Sequence, residues 1–134
     1  GEAYQVGPMT IRPYRALHPV EAFGLRIEGP SEDDPERLVS LFYTGDTDLC
    51  DTIIEGARGV DVLLSEVGFT SDETEPDMHM DGVRAGEVAT RAGVARMIAT
   101  HIQPWTPRDR VASEVRQTWS GPLDFATSGM QVSL

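Results

Sequence analysis

Three apolar segments of strand length in this chain each lead to a side chain that can bind a metal ion. His18, Asp46 and His101 all stand within three residues of the end of such a segment. Strand ends in parallel and mixed sheets line up along one edge, so side chains placed there can converge on one centre. The fourth candidate, His79, lies instead between an acidic loop and a predicted helix. This recurrence favours folds that bring several strand ends together.

Short apolar runs alternate with helical patterns in the middle of the chain, which indicates an α/β layer fold in a single domain over residues 1–134. The pattern Thr106-Pro107 predicts a helix with Thr106 as its N-cap and Pro107 as its first residue. A turn at Ser128-Gly129 predicts that two closing strands pair with each other. Strands are predicted at residues 9–17, 23–28, 38–43, 60–66, 96–100, 123–126 and 130–134, and helices begin near residues 51, 83 and 106.

The composition limits the range of partners and locations. The chain has 134 residues, 22 acidic and 11 basic, with a net charge of -11. Such a surface repels nucleic acid backbones unless a basic patch overrides it, so nucleic acid is an unlikely partner. The apolar runs are far too short to span a membrane, and the first residues do not resemble a signal peptide. The single cysteine, Cys50, is typical of a reducing compartment, so we expect a cytoplasmic protein.

Taken one at a time, the candidate residues have ordinary explanations. Asp46 after Gly45 also suits a turn or a helix N-cap. His18 and His101 could equally be histidines of the surface or the core. His79 could act as a general acid within reach of a leaving group, but its local sequence alone gives weak support.

Read together and in order, these segments resemble the C-terminal half of the metallo-β-lactamase fold, in its ribonuclease Z-like and phosphodiesterase-like branch. The resemblance covers nearly the whole chain and implies half of an αββα sandwich, a mixed sheet with flanking helices. The segments that carry it are Leu17–Ile27, Tyr43–Thr47, Gly59–Glu66, His79 with Gly86–Ala89, and Thr100–Ile102.

The resemblance implies a role for each candidate. His18 would bind the first metal, Asp46 would bridge both metals, and His101 would bind the second. His79 and Asp46 would be the catalytic residues, and His79 would protonate the leaving oxygen. The implied cofactor is a pair of divalent ions, zinc first, with manganese or iron as alternatives, and the implied activity is metal-dependent hydrolysis.

The departures from the family pattern are equally informative. The family's His-x-His-x-Asp-His run is absent from these residues. It belongs to the first half of the fold, so three ligands alone should hold metal poorly. We therefore expect the chain to pair with that missing half or to form a homodimer.

The local sequence also bears on the substrate. Met80-Asp81 and Ile102–Trp105 differ from the tRNA-processing pattern, and the link from Ile27 to Leu38 is short. With the acidic surface, these features favour a small phosphodiester such as a cyclic nucleotide. The alternatives are ribonuclease Z-like RNA processing by the intact protein, an inert or self-associating truncated fragment, and an acidic binding domain whose histidines are incidental.

Overall fold

A computed structural model describes residues 1–134, which form seven strands and three helices in a single layered unit. The strands are β1 (Tyr4–Val6), β2 (Met9–Arg15), β3 (Phe23–Pro30), β4 (Leu38–Tyr43), β5 (Val62–Glu66), β6 (Met97–Thr100) and β7 (Leu123–Phe125). The helices are α1 (Asp51–Ala57), α2 (Gly82–Ala92) and α3 (Arg108–Val115).

The sheet runs in chain order from β1 to β7 and changes character halfway. β1 to β4 form an antiparallel meander, whereas β4, β5, β6 and β7 pair in parallel. Each parallel step is made through one of the three helices, as βαβ units require. The carboxyl ends of β4, β5 and β6 therefore lie along the same edge of the sheet. This confirms the α/β prediction.

The helices bury one face of the sheet. Phe42, Leu63 and Met97, from three neighbouring strands, are fully buried in a core cluster of 17 residues. α2 fits closely because small residues face that core, with Ala85 and Ala89 fully buried. Its N-cap is Asp81, and it ends at Gly93 in the left-handed conformation.

The opposite face of the sheet carries a second set of apolar side chains, from β4, β5 and β6. The C-terminal residues Met130, Val132 and Leu134 line an apolar cleft on this face. None of the three helices is long and apolar enough to cross a membrane.

Two local predictions are wrong. Residues 130–134 form no strand; the carbonyl oxygen of Leu134 instead accepts hydrogen bonds from Ser31, at 2.8 Å, and from the Glu32 amide, at 3.1 Å. Their apolar side chains lie against the sheet face instead of extending the sheet. α3 begins at Arg108, with Pro107 rather than Thr106 as its N-cap, because the ψ of Pro107 is 137° and extended.

Candidate metal centre

Four segments bring the candidate side chains to one edge of the sheet. Asp46 follows β4 and His101 follows β6, while His18 lies beyond β2 and His79 lies just before α2. Because β4, β5 and β6 are parallel, the loops that leave them emerge side by side. The sheet topology therefore places residues that are far apart in sequence at a common site.

The four candidates lie close together. Ligand atoms of His18, Asp46 and His79 are all within 4.8 Å of one another. Nε2 of His101 is 3.8 Å from the Asp46 carboxylate. The ring of His79 has its centroid 5.5 Å from that of His18 and 5.2 Å from that of His101. His79, predicted as the proton donor, is thus also within reach of a metal held by His18 and Asp46.

The turn that presents Asp46 requires a glycine before it. Gly45 has a φ of 61°, and a Cβ at this position would lie 2.6 Å from the carbonyl oxygen of Phe23. The hydroxyl of Thr44, fully buried, donates to the Gly45 carbonyl and accepts from the amide of Glu66 at 3.0 Å. The Asp46 loop is thereby tied to the end of β5.

Glu66 is a buried residue of this site that the sequence prediction missed. Its side chain is fully buried, and one oxygen accepts hydrogen bonds from the Thr47 amide at 2.9 Å and from Nδ1 of His79 at 2.8 Å. The other oxygen accepts from the amides of Gly68 and Met80, at 2.8 and 3.3 Å. Burial raises the pKa of the Glu66 carboxyl, and the hydrogen bonds from Thr47, Gly68 and His79 oppose that rise. An ionised carboxylate can accept from all four donors at once, and it fixes the orientation of the His79 ring.

Asp48 ties together three of the segments that carry candidate ligands. Its carboxylate, which is buried, bonds to the guanidinium of Arg84 at 2.8 Å and to the amide of Asp77 at 3.0 Å. Its own amide donates to the Leu17 carbonyl at 2.8 Å. Leu17 directly precedes one candidate histidine, and Asp77 lies two residues before another, so this network sets the spacing between them.

The site has negative potential. The pKa of the Tyr43 phenol is raised from its ordinary value, first by burial and then by the charges of Asp46 and Glu66. His101 adopts a φ of 58°, in the left-handed region that a residue with a Cβ rarely occupies. Both observations are typical of functional sites, where charge and backbone strain accumulate.

The donor set fits a divalent metal ion. Imidazole nitrogens and a carboxylate oxygen are ligands that zinc accepts, and manganese and iron share part of this preference. Nδ1 of His18 faces the Val20 carbonyl at 3.3 Å, so with Nδ1 protonated its Nε2 is free to bind a metal. His18, Asp46 and His79 have ligand atoms close enough to share one ion, and His101 lies beside Asp46. The assignment of His18, Asp46 and His101 as the residues that would hold the ions stays a prediction. A bound ion would supply electrostatic stabilisation of charge on a substrate oxygen.

The sequence of this chain is similar to those of known proteins. The family model of the beta-lactamase superfamily domain matches residues 1–102. An uncharacterized protein of Mycobacterium tuberculosis is 46% identical over 123 residues, which are 91% of this chain and 43% of that protein. A ribonuclease Z of Myxococcus xanthus is 28% identical over 139 residues, 100% of this chain and 42% of that protein.

A solved structure of another protein has a similar fold. The crystal structure of YhfI from Bacillus subtilis, a metallo-beta-lactamase fold protein, superposes with a TM-score of 0.84 at 28% identity. The match covers 96% of this chain and 51% of YhfI. This chain thus spans about half the length of the relatives that it matches. The chain belongs to the beta-lactamase superfamily and has the fold of about half of a metallo-β-lactamase fold protein.

Proposed function

We propose that this chain supplies the C-terminal half of a two-metal phosphodiesterase that acts on a small phosphodiester such as a cyclic nucleotide. The observation that carries the proposal is the meeting of His18, Asp46, His79 and His101 at one sheet edge. The ions, zinc in the first instance, would be held by His18, Asp46 and His101. Divalent ions held there would supply electrostatic stabilisation of the charge that develops on the phosphoryl oxygens.

The proton path follows from the hydrogen bond between His79 and Glu66. With Nδ1 bonded to the buried carboxylate, the other ring nitrogen of His79 is left to act on the substrate. A positioned imidazole of this kind contributes roughly 100- to 10,000-fold to rate when it delivers a proton in the transition state. We assign His79 the protonation of the leaving oxygen, with Glu66 as the residue that orients it.

The remaining ligands would come from a second segment. The His-x-His-x-Asp-His run is absent here, and the relatives are about twice as long as this chain. The sheet face that carries Leu41, Leu64 and Ile98 is apolar and has only the C-terminal residues against it. We infer that the first half of the fold, or a second copy of the chain, packs there.

The acidic charge favours a small substrate over RNA. A net charge of -11 opposes the approach of a long polyanion, whereas a single phosphodiester is drawn in by the metal ions themselves. Ribonuclease Z-like processing is the alternative activity, since several relatives are ribonucleases Z.

The test is Asp46→Ala in the full-length protein. We expect loss of cyclic AMP hydrolysis and of bound metal, measured by mass spectrometry, with an unchanged circular dichroism spectrum. Asp51→Ala is the matched control, because the Asp51 side chain is 93% exposed and lies outside the site.

Retained hydrolysis in Asp46→Ala would remove Asp46 from the mechanism. Cleavage of a tRNA precursor without cleavage of cyclic AMP would favour the ribonuclease alternative. Absence of both activities in the metal-loaded, full-length wild type would refute the phosphodiesterase proposal and the ribonuclease alternative together.

A further inference from the structure

A polar cleft adjoins the candidate metal centre and has no assigned role. Its volume is about 300 Å³, and it is lined by residues 99–104 with Thr106, Arg108 and Ala126. His101 lines the cleft and its Nε2 lies 3.8 Å from the Asp46 carboxylate, so the cleft borders the metal centre. Of the nine lining residues three are hydrophobic, which suits a polar ligand rather than an apolar one.

Arg108 is the one cation of this cleft, and no carboxylate neutralises it. Its guanidinium bonds to the Ala126 carbonyl at 3.4 Å and lies 5.7 Å from the centroid of the Phe125 ring. These contacts orient the group without cancelling its charge. The chain has 22 acidic residues, and seven of its 11 arginines form ion pairs with some of them. These seven are Arg15, Arg26, Arg58, Arg84, Arg91, Arg96 and Arg110.

Arg108 is one of four arginines without an acidic partner, and although it is exposed it is the one of these four that lines a cleft beside the candidate metal centre. The planar guanidinium matches a phosphate group, to which it donates two parallel hydrogen bonds. The amide of Gln103 and the hydroxyl of Thr106 add neutral donors to the same lining. An arginine is also weakly hydrated compared with a lysine, so a bound anion displaces its water at lower cost.

We propose that this cleft binds a second phosphate group of the substrate, apart from the phosphodiester at the metal ions. The inference rests on the proposed function and narrows its substrate class to small phosphodiesters that carry a further terminal phosphate. Arg108 is the residue that selects them.

The kinetic test compares three dinucleotide substrates in the full-length, metal-loaded protein, with cyclic AMP and cyclic GMP as reference substrates. Adenylyl-adenosine has only the phosphodiester, and two derivatives carry one extra phosphate, at the 5′ end or at the 3′ end. Arg108→Gln should lower kcat/KM for one derivative by about tenfold and leave adenylyl-adenosine unchanged, as expected for a lost charge-assisted hydrogen bond. Arg12→Gln is the control, because Arg12 also lacks an acidic partner but lies on β2, outside the cleft.

Three outcomes would overturn the proposal. These are an equal loss on all three substrates, no loss on any, or a change in the ratio of cyclic GMP to cyclic AMP hydrolysis alone. The last would mean that Arg108 reads a base and not a phosphate.

A binding experiment separates this inference from the proposed function. In metal-free protein, titration with inorganic pyrophosphate should shift the Nε–H resonance of Arg108, and Arg108→Gln should weaken pyrophosphate binding by about tenfold. Absence of both effects refutes the cleft as a phosphate site. If no phosphodiester is cleaved by any variant, the proposed function fails, while this titration still decides the role of the cleft.

Discussion

Replacing Glu66 by glutamine tests whether the buried carboxylate organises the site. The substitution keeps the shape of the side chain but turns one of its two acceptor oxygens into a donor. In the structure both oxygens are fully used, one by Thr47 and His79 and the other by Gly68 and Met80. Each orientation of the new amide therefore places donor against donor.

The two orientations differ in cost. With the amide nitrogen facing Gly68 and Met80, two backbone donors lose their acceptor, at roughly 1–3 kcal/mol each. With the nitrogen facing Thr47 and His79, only the Thr47 amide is stranded, because His79 can move its proton to Nε2 and accept through Nδ1. Removal of a buried charge offsets part of the loss, so we expect a net destabilisation of about 1–2 kcal/mol. The orientation with the amide nitrogen facing Thr47 and His79 should therefore predominate.

Two measurements check this expectation in the full-length protein. Urea unfolding gives the loss of stability, and ¹⁵N chemical shifts of the His79 ring report which nitrogen carries the proton in its neutral form. Glu73→Gln is the control; Glu73 also accepts two hydrogen bonds, both from Thr70, but it is exposed. A Glu66→Gln variant as stable as the wild type, with the proton still on Nδ1, would refute the reasoning.

Three further predictions concern the loops around the site. Asp48→Asn should weaken zinc binding roughly tenfold in calorimetry, because it loosens the link between the ligand-bearing segments; unchanged affinity would show that the link is dispensable. Gly45→Ala should cost more than the roughly 1–2 kcal/mol of a left-handed residue, because its Cβ meets a carbonyl at 2.6 Å. In urea unfolding Gly59→Ala is its control, with a φ of 65° and open space around it; equal costs would contradict the clash. The pKa of Tyr43 lies above its usual value of 10, so the stability gained from the neutral phenol is complete below pH 10 and is lost as the pH rises through the folded-state pKa. In an absorbance titration, Asp46→Asn should move this highest tyrosine step to lower pH, and an unmoved step would exclude the charge as a cause.

The α/β class and the convergence of the candidates could be anticipated because both depend on local patterns. Apolar runs of strand length and small-residue helices are visible in the sequence, and parallel strands align their ends. The positions of Asp46 and His101 at those ends then follow from the topology, and His18 lies at the same edge because β2 runs in the same direction as β4. Their roles as ligands, and that of His79 as proton donor, stay predictions.

Glu66 could not be identified in the same way. It closes an apolar strand, and its partners lie up to 19 residues away, so no local pattern distinguishes it from a strand-end charge facing water. The closing strand at residues 130–134 failed for a related reason. Alternating apolar residues satisfy a strand pattern, but here they serve to cover an apolar sheet face.

The left-handed backbone of His101 has a consequence for how this protein would respond to selection. Glycine adopts that conformation freely, whereas a residue with a Cβ gives up stability to hold it. Selection for thermal stability alone, without selection for catalysis, would favour glycine at this position. The metal-binding role predicted for His101 would therefore come at a cost in stability.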